Sequence, residues 1–177
     1  IPNSVKILDN ANCFYQTDIK ILKEIIQKNN FAENKPLELG KQIWNEGRIT
    51  SLSLNNSKLT TLPDNIGNLI MLIKLSCYSN QLKTIPNTIT NLINLIELNL
   101  QDNQISELPK KLGQLKKLKR LNLHYNKLSS LPPTFGKLIN LDKLQISHNE
   151  LNKLPDSICN INFDKDNIYD VLIGDNS

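Results

Sequence analysis

Residues 95–117 read LIELNLQDNQISELPKKLGQLKK, and this stretch is the unit from which most of the chain is built. The apolar residue that opens the unit recurs every 23 residues, at Ile49, Leu72, Leu95, Leu118 and Leu141. Prolines recur with the same period, at Pro63, Pro86, Pro109, Pro132 and Pro155. Five units without insertion or deletion cover residues 49–163. A repeat of this length predicts a solenoid in which each unit forms one coil and stacks on the next.

Each part of the unit has its own structural signal. Leu98 and Leu100 alternate with polar residues, as in a short strand that buries one face. After the Leu-Pro step, apolar residues three apart predict a short 3₁₀ or helical turn on the opposite side of the coil. The asparagine between these parts can bind backbone groups that the bend removes from water, and we expect it to form a ladder through Asn80, Asn103, Asn126 and Asn149. Ser57 holds that place in the first unit.

The full pattern, L-x-x-L-x-L-x-x-N-x-L-x-x-L-P-x-x-L-x-x-L, closely resembles the leucine-rich-repeat family. It recurs five times and covers about two-thirds of the chain. The resemblance implies an α/β solenoid, a short horseshoe with a parallel β-sheet on the concave face. It also implies 3₁₀ or helical turns on the convex face and an α-helical amino-terminal cap.

Both ends of the repeat array are expected to carry caps, because a stack of coils otherwise exposes its apolar interior. Residues 1–48 form the predicted amino-terminal cap. Within it, residues 18–28 place apolar side chains on one helical stripe behind Asp18, which we expect to be the N-cap. Trp44 is expected to cover the first coil, and the step Trp44-x-x-Gly47-Arg48 resembles the caps of secreted bacterial and plant leucine-rich-repeat proteins.

The other end departs from the repeat. Residues 164–177 are the predicted carboxy-terminal cap, and their apolar residues suggest a half-strand that closes the stack. These residues are Ile168, Val171, Leu172 and Ile173.

Cysteine usage leaves the compartment open. Cys77 falls in an inward strand position and is expected to be a small buried hydrophobe. Cys13 and Cys159 lie where secreted members of the family have cap disulfides, but too far apart to pair with each other. We expect an extracellular or cell-surface protein; a cytoplasmic protein with free thiols is the alternative. No secretory signal is visible in residues 1–10, although a chain with a trimmed start would look the same. No stretch is apolar enough to span a membrane.

Binding residues are expected on the concave face, where outward strand positions of successive coils form columns about 4.8 Å apart. One column is charged, the next is made of amides and hydroxyls, and the last two carry the tyrosines and histidines. The candidate ligand-binding residues are Lys74, Tyr78, Glu97, Asn99, Gln101, Asp102, Arg120, Asn122, His124, Tyr125, Lys143, Gln145 and His148. Aromatic anchors among adaptable hydrogen-bonding groups are typical of surfaces that bind polar partners.

Two other classes of function are less well supported. Asp102, His124, Tyr125 and His148 lie on adjacent predicted strands and offer groups for zinc or acid-base chemistry, but an open sheet has no pocket that excludes water. We expect no catalytic residue, metal or cofactor. The basic run from Lys110 to Arg120 suggests nucleic acid or another anionic surface, yet its lysines fall on different sides of a coil. A solvated surface explains it better, although a weak anionic partner stays open.

The sequence therefore predicts a non-enzymatic recognition scaffold that binds a protein or glycan through its concave face, with no specific nucleic acid partner. The alternative is a structural or adhesive cell-surface component that assembles with copies of itself through its lateral surfaces or strand edges.

Overall fold

The computed structural model of the chain describes residues 6–9, 12–31, 35–161 and 163. Strands β1 (Lys6–Asp9) and β2 (Asn12–Tyr15) form an antiparallel hairpin that leads directly into helix α1 (Gln16–Lys28). Six further strands form one sheet in chain order. They are β3 (Lys41–Asn45), β4 (Arg48–Ser53), β5 (Lys74–Ser76), β6 (Glu97–Asn99), β7 (Arg120–Asn122) and β8 (Lys143–Gln145).

Strands β4 to β8 are parallel, and each residue pairs with its equivalent in the next repeat, as Lys74 does with Glu97. After each of these strands the chain runs through a 3₁₀ turn on the other side of the coil. These turns are Ile66–Asn68, Asn87–Asn91, Leu112–Gln114, Phe135–Lys137 and Asp156–Asn160; one further turn, Pro36–Glu38, belongs to the cap. The predicted fold, an open parallel sheet opposite 3₁₀ turns with one amino-terminal helix, is confirmed.

The interior of the stack is apolar throughout. Leu98 and Leu100 of the quoted unit are almost fully buried, as are their equivalents in the other coils. One continuous core runs from Ile21 in α1 to Ile161 after the last strand. Full burial of a leucine contributes about 1.5 to 3 kcal/mol, so each coil gains most of its stability by covering its neighbour's edge.

Helix α1 packs the predicted stripe, including Leu22 and Ile25, against the first coil. The prediction that Asp18 is the N-cap is wrong: the N-cap is Tyr15, three residues earlier, and it makes no side-chain cap bond. Asp18 lies in the first turn and is fully buried. Its carboxylate binds Arg48 at the start of β4, where Nε donates to Oδ2 over 3.0 Å and Nη2 lies 2.9 Å from Oδ1. A buried carboxylate needs strong donors, and a bidentate arginine supplies two.

The first coil is also covered by β3, which pairs antiparallel with β4. Glu46 and Gly47 form the two-residue turn between them, both with positive φ (49° and 77°), as a type I′ hairpin requires. Trp44 of β3 is half-buried against the core and meets the Phe14 ring edge-on, with 4.6 Å between centroids. It therefore covers the end of the stack, as the sequence predicts.

The spacing of the coils on the convex side depends on a glycine in most of the repeats. A Cβ at Gly113 would lie 2.1 Å from the carbonyl oxygen of Thr134 in the next coil, so only glycine allows this approach. Thr90 occupies the equivalent place one coil earlier. A residue with a Cβ cannot approach the next coil as closely at this point.

The domain boundaries at residues 48 and 163 stay predictions. The predicted carboxy-terminal cap, residues 164–177 with its apolar half-strand, lies outside the described residues.

Candidate binding surface on the concave face

The in-register sheet places the predicted columns side by side on its outer face. The charged column joins Ser51, Lys74, Glu97, Arg120 and Lys143 through direct strand pairing. The uncharged column joins Ser53, Ser76, Asn99, Asn122 and Gln145 in the same way. The side chains between these columns point inward and are buried, as Leu98 is, so the two columns form one continuous outward surface.

The charged column contains an ion-pair network centred on Glu97. Its Oε1 lies 2.9 Å from Lys74 Nζ and also binds Nη2 of Arg120 in the next coil. All three side chains are partly open to solvent, so these pairs stabilise the fold by at most about 1 kcal/mol each. Lys143 lies beside Arg120 and forms no ion pair within the described part of the chain. Lys143 is therefore the cation of this column whose ammonium group is most available to a partner.

The amide column is held in place by bonds to its own strand ends. Asn99 Oδ1 accepts a hydrogen bond from the backbone N–H of Gln101, and Asn122 Oδ1 accepts one from His124, both at 3.0 Å. The Asn122 Nδ2 group donates to Gln101 Oε1 across the coils at 2.9 Å. Side chains fixed in this way lose little further entropy when they bind a ligand.

Three aromatic rings meet where β7 and β8 end. Tyr125 and His148 stack with 4.2 Å between centroids and 4° between planes. His124 meets both edge-on, at 4.2 Å from Tyr125 and 4.9 Å from His148. The hydroxyl of Ser147 forms a hydrogen bond with His124 Nδ1. Tyr125 is 48% exposed, so this cluster is a rigid aromatic surface that is open to a partner.

The backbone at the cluster is left-handed, which the sequence columns did not reveal. Tyr125 and His148 have φ of 53°, and the equivalent residues of the other coils have φ of 52° to 54°. Left-handed backbone costs a side chain with a Cβ roughly 1 to 2 kcal/mol. Here the neighbouring coils hold it, since Tyr125 N–H donates to Ser147 at 3.1 Å and Asn126 N–H donates to His148 at 3.1 Å.

Tyr78 and Asp102, predicted in the same two columns as these rings, do not join the cluster. Tyr78 lies in the second coil, two coils away from Tyr125. Asp102 accepts a hydrogen bond from the Ser79 hydroxyl at 2.8 Å and so turns towards the preceding coil. The tyrosines therefore do not form a single aromatic site, and Asp102 is not assembled with the two histidines.

The asparagines behind the surface bind the backbone across coils. Asn103 Nδ2 donates to the carbonyls of Cys77, Leu100 and Gln101 at 2.9 to 3.1 Å, and its Oδ1 accepts from Leu82 N–H at 3.0 Å. Asn80, Asn126 and Asn149 make bonds of the same kind. At Ser57 the hydroxyl reaches only the carbonyl of Asn55 in its own coil, at 3.1 Å. Each of these asparagines directly follows a residue with left-handed backbone, so the bonds fix that residue in position relative to its equivalent in the next coil.

Sequence reasoning missed the strand that extends the concave face. Because β3 pairs with β4, Lys41 lies opposite Ser53 and Ile43 lies opposite Ser51. Ile43 is exposed and adds an apolar position beside the charged column. The alternation of residues 41–45 followed by the two-residue Glu46-Gly47 turn is a hairpin signal that would have predicted this strand.

The chemistry available on this face is recognition of a polar surface. A shallow depression of about 210 Å³ lies along the Glu97, Arg120 and Lys143 ends of the strands. Within the described residues no group of three or more His, Cys, Asp or Glu side chains could hold a metal ion. In the same part of the chain no helix is both long enough and apolar enough to cross a bilayer.

The larger cavity lies on the convex side, far from the predicted residues. It is a groove of about 840 Å³ between the Asn87–Asn91 and Leu112–Gln114 turns. Thr90 stands there in place of the glycine of other turns. Lys111 occupies the position that Thr134 has one coil later, where the Thr134 hydroxyl donates to the carbonyl of Lys110 at 2.7 Å. We attribute the groove to these two replacements, because the close glycine contact and the hydroxyl bond of the neighbouring turns are both missing between these two turns.

The thiols differ as the sequence predicts where the structure describes them. Cys77 is fully buried, and burial raises the pKa of its thiol from 9.0 to about 12. Cys159 is exposed after the last described strand. The side chain of Cys13 lies outside the described residues.

Comparison with known proteins agrees with this architecture. Two family models described as leucine-rich repeat match residues 93–151 and 48–69. No curated protein sequence matches the chain. Among solved structures, a leucine-rich-repeat protein of Leptospira interrogans is 42% identical over 64% of this chain, with a TM-score of 0.61; the chain spans 30% of that protein's length.

Two structures from Arabidopsis thaliana are similar over more of the chain. The leucine-rich-repeat ectodomain of the receptor kinase SOBIR1 is 28% identical, with a TM-score of 0.67, over 85% of this chain and 91% of that one. A chain of the BIR3–SERK2 complex is 26% identical, with a TM-score of 0.67, over 85% of this chain and 89% of that one. Since both family models match the repeats and the coils fold as these proteins do, the repeats of this chain are leucine-rich repeats.

Proposed function

We propose that this protein is a non-enzymatic recognition module that binds a protein partner through its concave face. Leucine-rich-repeat proteins are in general binding scaffolds, and one of the similar structures is a complex between two proteins. The observation that carries the proposal is the aromatic cluster of His124, Tyr125 and His148 beside fixed amides. Rigid exposed aromatic side chains are the groups that most often dominate binding energy at protein interfaces.

The other predicted residues have supporting roles in this proposal. Asn99, Asn122 and Gln145 would bind peptide groups or side chains of the partner, and Lys143 with Arg120 would face its acidic groups. Such charges contribute more to orientation and association rate than to affinity. A glycan offers hydroxyl groups to the same amides and rings and is the alternative ligand.

The same comparison supports a proposal about the compartment. We propose that the protein acts outside the cell or at the cell surface, because the SOBIR1 structure is that of an ectodomain with the same coils. A cytoplasmic protein with free thiols is the alternative.

The proposal is tested by probing arrays of purified extracellular proteins and of glycans with the wild-type chain and with Tyr125→Asn. Asparagine accepts the left-handed backbone of residue 125, so the fold should be kept while the stacked ring is lost. We expect any specific protein signal to fall at least about tenfold, as for a hot-spot residue. Lys110→Gln, on the convex side, is the control that should leave binding unchanged.

Three results would count against the proposal. The first is a specific protein signal that neither Tyr125→Asn nor Lys143→Gln lowers. The second is specific binding on the glycan array and none on the protein array. Light scattering after size exclusion is the third, since growth of the particle with concentration would favour the self-assembling surface component.

A further inference from the structure

One lateral flank of the solenoid combines exposed isoleucines with lysines. It consists of the segments that connect each 3₁₀ turn to the next strand. Its outward residues are Ile70, Met71 and Ile73 in the first connection; Ile93, Asn94 and Ile96 in the second; Lys116, Lys117 and Lys119 in the third; and Ile139, Asn140 and Asp142 in the fourth. We name this surface the isoleucine–lysine flank.

Hydrogen bonds hold these connections in register. Ile96 N–H donates to Ile73 at 2.8 Å, and Lys119 N–H donates to Ile96 at 2.9 Å. Side-chain amides add a second row, in which Asn94 Nδ2 donates to the carbonyl of Ile70 at 2.9 Å and Asn140 Nδ2 donates to that of Lys116 at 2.7 Å. Equivalent residues of successive connections therefore stand next to one another along one ridge, with the spacing of the coils.

The apolar side chains on this ridge protrude into solvent. Ile93 is 59% exposed and Ile139 is 60% exposed, and Ile70 and Met71 are exposed beside them. Nothing in the coil needs isoleucine at these places, because Lys116 occupies the same column without disturbing the leucines on either side, Leu115 and Leu118. Several large apolar side chains exposed on one side of the solenoid mark a surface that meets another apolar phase.

The charges on the flank have one sign apart from Asp142. Lys116, Lys117 and Lys119 are exposed, and within the described residues none of them forms an ion pair. Lys117 Nζ instead donates to Asn94 Oδ1 at 2.8 Å, which keeps the ammonium group on the ridge. Positive charge and apolar side chains are thus interleaved along one line.

We propose that the isoleucine–lysine flank docks on an anionic lipid bilayer. Isoleucines at an interface enter the boundary between headgroups and acyl chains, while lysines are attracted to anionic headgroups. A protein partner fits less well, because protein interfaces are depleted in lysine and enriched in aromatic residues and arginine, which this flank lacks. Binding of a nucleic acid would account for the lysines but not for the exposed isoleucines.

This docking is separate from recognition on the concave face. The flank lies at the side of the sheet, so a protein held by it would keep the His124, Tyr125 and His148 cluster open to a partner. Membrane docking and partner binding can therefore fail or succeed independently.

The test is co-sedimentation of the purified chain with vesicles of phosphatidylcholine alone and of phosphatidylcholine containing phosphatidylglycerol. We expect binding to the anionic vesicles that weakens as salt rises, and little binding to the neutral ones. Removing two lysines with Lys116→Gln and Lys117→Gln should lower the partition coefficient about 25-fold, at roughly fivefold per lysine. Ile93→Ser with Ile139→Ser should lower it at least about tenfold.

Two matched controls accompany these variants. Lys110→Gln with Lys111→Gln removes the same charge from the convex side and should leave vesicle binding unchanged, and so should Tyr125→Asn. Because all the substituted flank residues are exposed, thermal unfolding should match the wild type.

The proposal is overturned if the wild-type chain does not bind anionic vesicles, or if the convex control loses as much binding as the flank variant. Undiminished binding by Ile93→Ser with Ile139→Ser also overturns it. Sedimentation velocity that shows a dimer broken by the same isoleucine variant would assign the flank to self-association instead.

Discussion

The junction between the cap and the first coil is built differently from the junctions between coils. Coil meets coil through leucines and an asparagine that repeats every 23 residues, such as Asn103. Cap meets coil through the apolar face of α1, the β3–β4 pairing and one buried ion pair, between Asp18 and Arg48, that no coil repeats. A repeated junction distributes its polar contacts over equivalent residues in every coil, whereas the cap junction has one buried polar contact that nothing repeats.

The difference arises at the backbone N–H of the residue that opens each unit. In the later coils a preceding 3₁₀ turn supplies its acceptor, and the first coil has no such turn directly before it. Leu95 and Leu118 each donate their N–H to the carbonyl of the residue that caps the preceding 3₁₀ turn, at 2.9 and 3.0 Å. Ile49 opens the first unit and follows the β3–β4 hairpin rather than such a turn. Its N–H donates to Asp18 Oδ2 at 2.9 Å instead. Asp18 thus substitutes for the missing coil, and Arg48 compensates its charge.

The largest expected effect is at this single junction. Asp18→Asn should lower the free energy of unfolding by about 3 to 5 kcal/mol in urea denaturation, since Arg48 would be left with its charge largely buried and unpaired. Lys28→Gln, which breaks the exposed pair with Asp64, is the control and should have no measurable effect. A loss below about 1 kcal/mol for Asp18→Asn would show that the cap does not depend on this pair.

A smaller effect is expected within the repeats. Asn103→Ala leaves three carbonyls and one N–H without their side-chain partner and should cost about 2 to 3 kcal/mol. Ser57→Ala changes the same position in the first unit but removes only a bond within one coil, so it should cost less than about 1 kcal/mol. Equal losses in urea would mean that the ladder does not join the coils.

The smallest effect concerns the apolar interior and depends on pH. The buried Cys77 thiol has its pKa raised to about 12, so it stays neutral in the folded state while the unfolded thiol ionises near pH 9.0. The unfolded state then binds fewer protons, and stability that is present below pH 9 is lost as the pH rises towards 12. Between pH 8 and pH 10 the wild type should lose about 1.4 kcal/mol more than Cys77→Val. Parallel pH curves for the two proteins would contradict burial of this thiol.

The comparison also separates what could be predicted from what could not. The strand, the turn and the buried leucines of each coil were predictable because each follows from a local period that five units repeat. Asp18 was assigned a cap role because sequence reasoning considered only its own helix, and its partner Arg48 lies 30 residues away. Strand β3 was missed although its turn signal is present, because it lies outside the 23-residue repeat from which the strands were predicted.

On the candidate site, the sequence by itself determined which residue types stand in each column, because parallel in-register strands repeat the same spacing. Only the tertiary structure decided which of them meet. Stacking of Tyr125 on His148 requires the left-handed backbone at both residues, and the neighbouring coils impose that conformation. The exposure of Ile93 and Ile139 likewise depends on which side of the coil faces water. Local pattern determines a coil, and contacts between coils determine its surfaces.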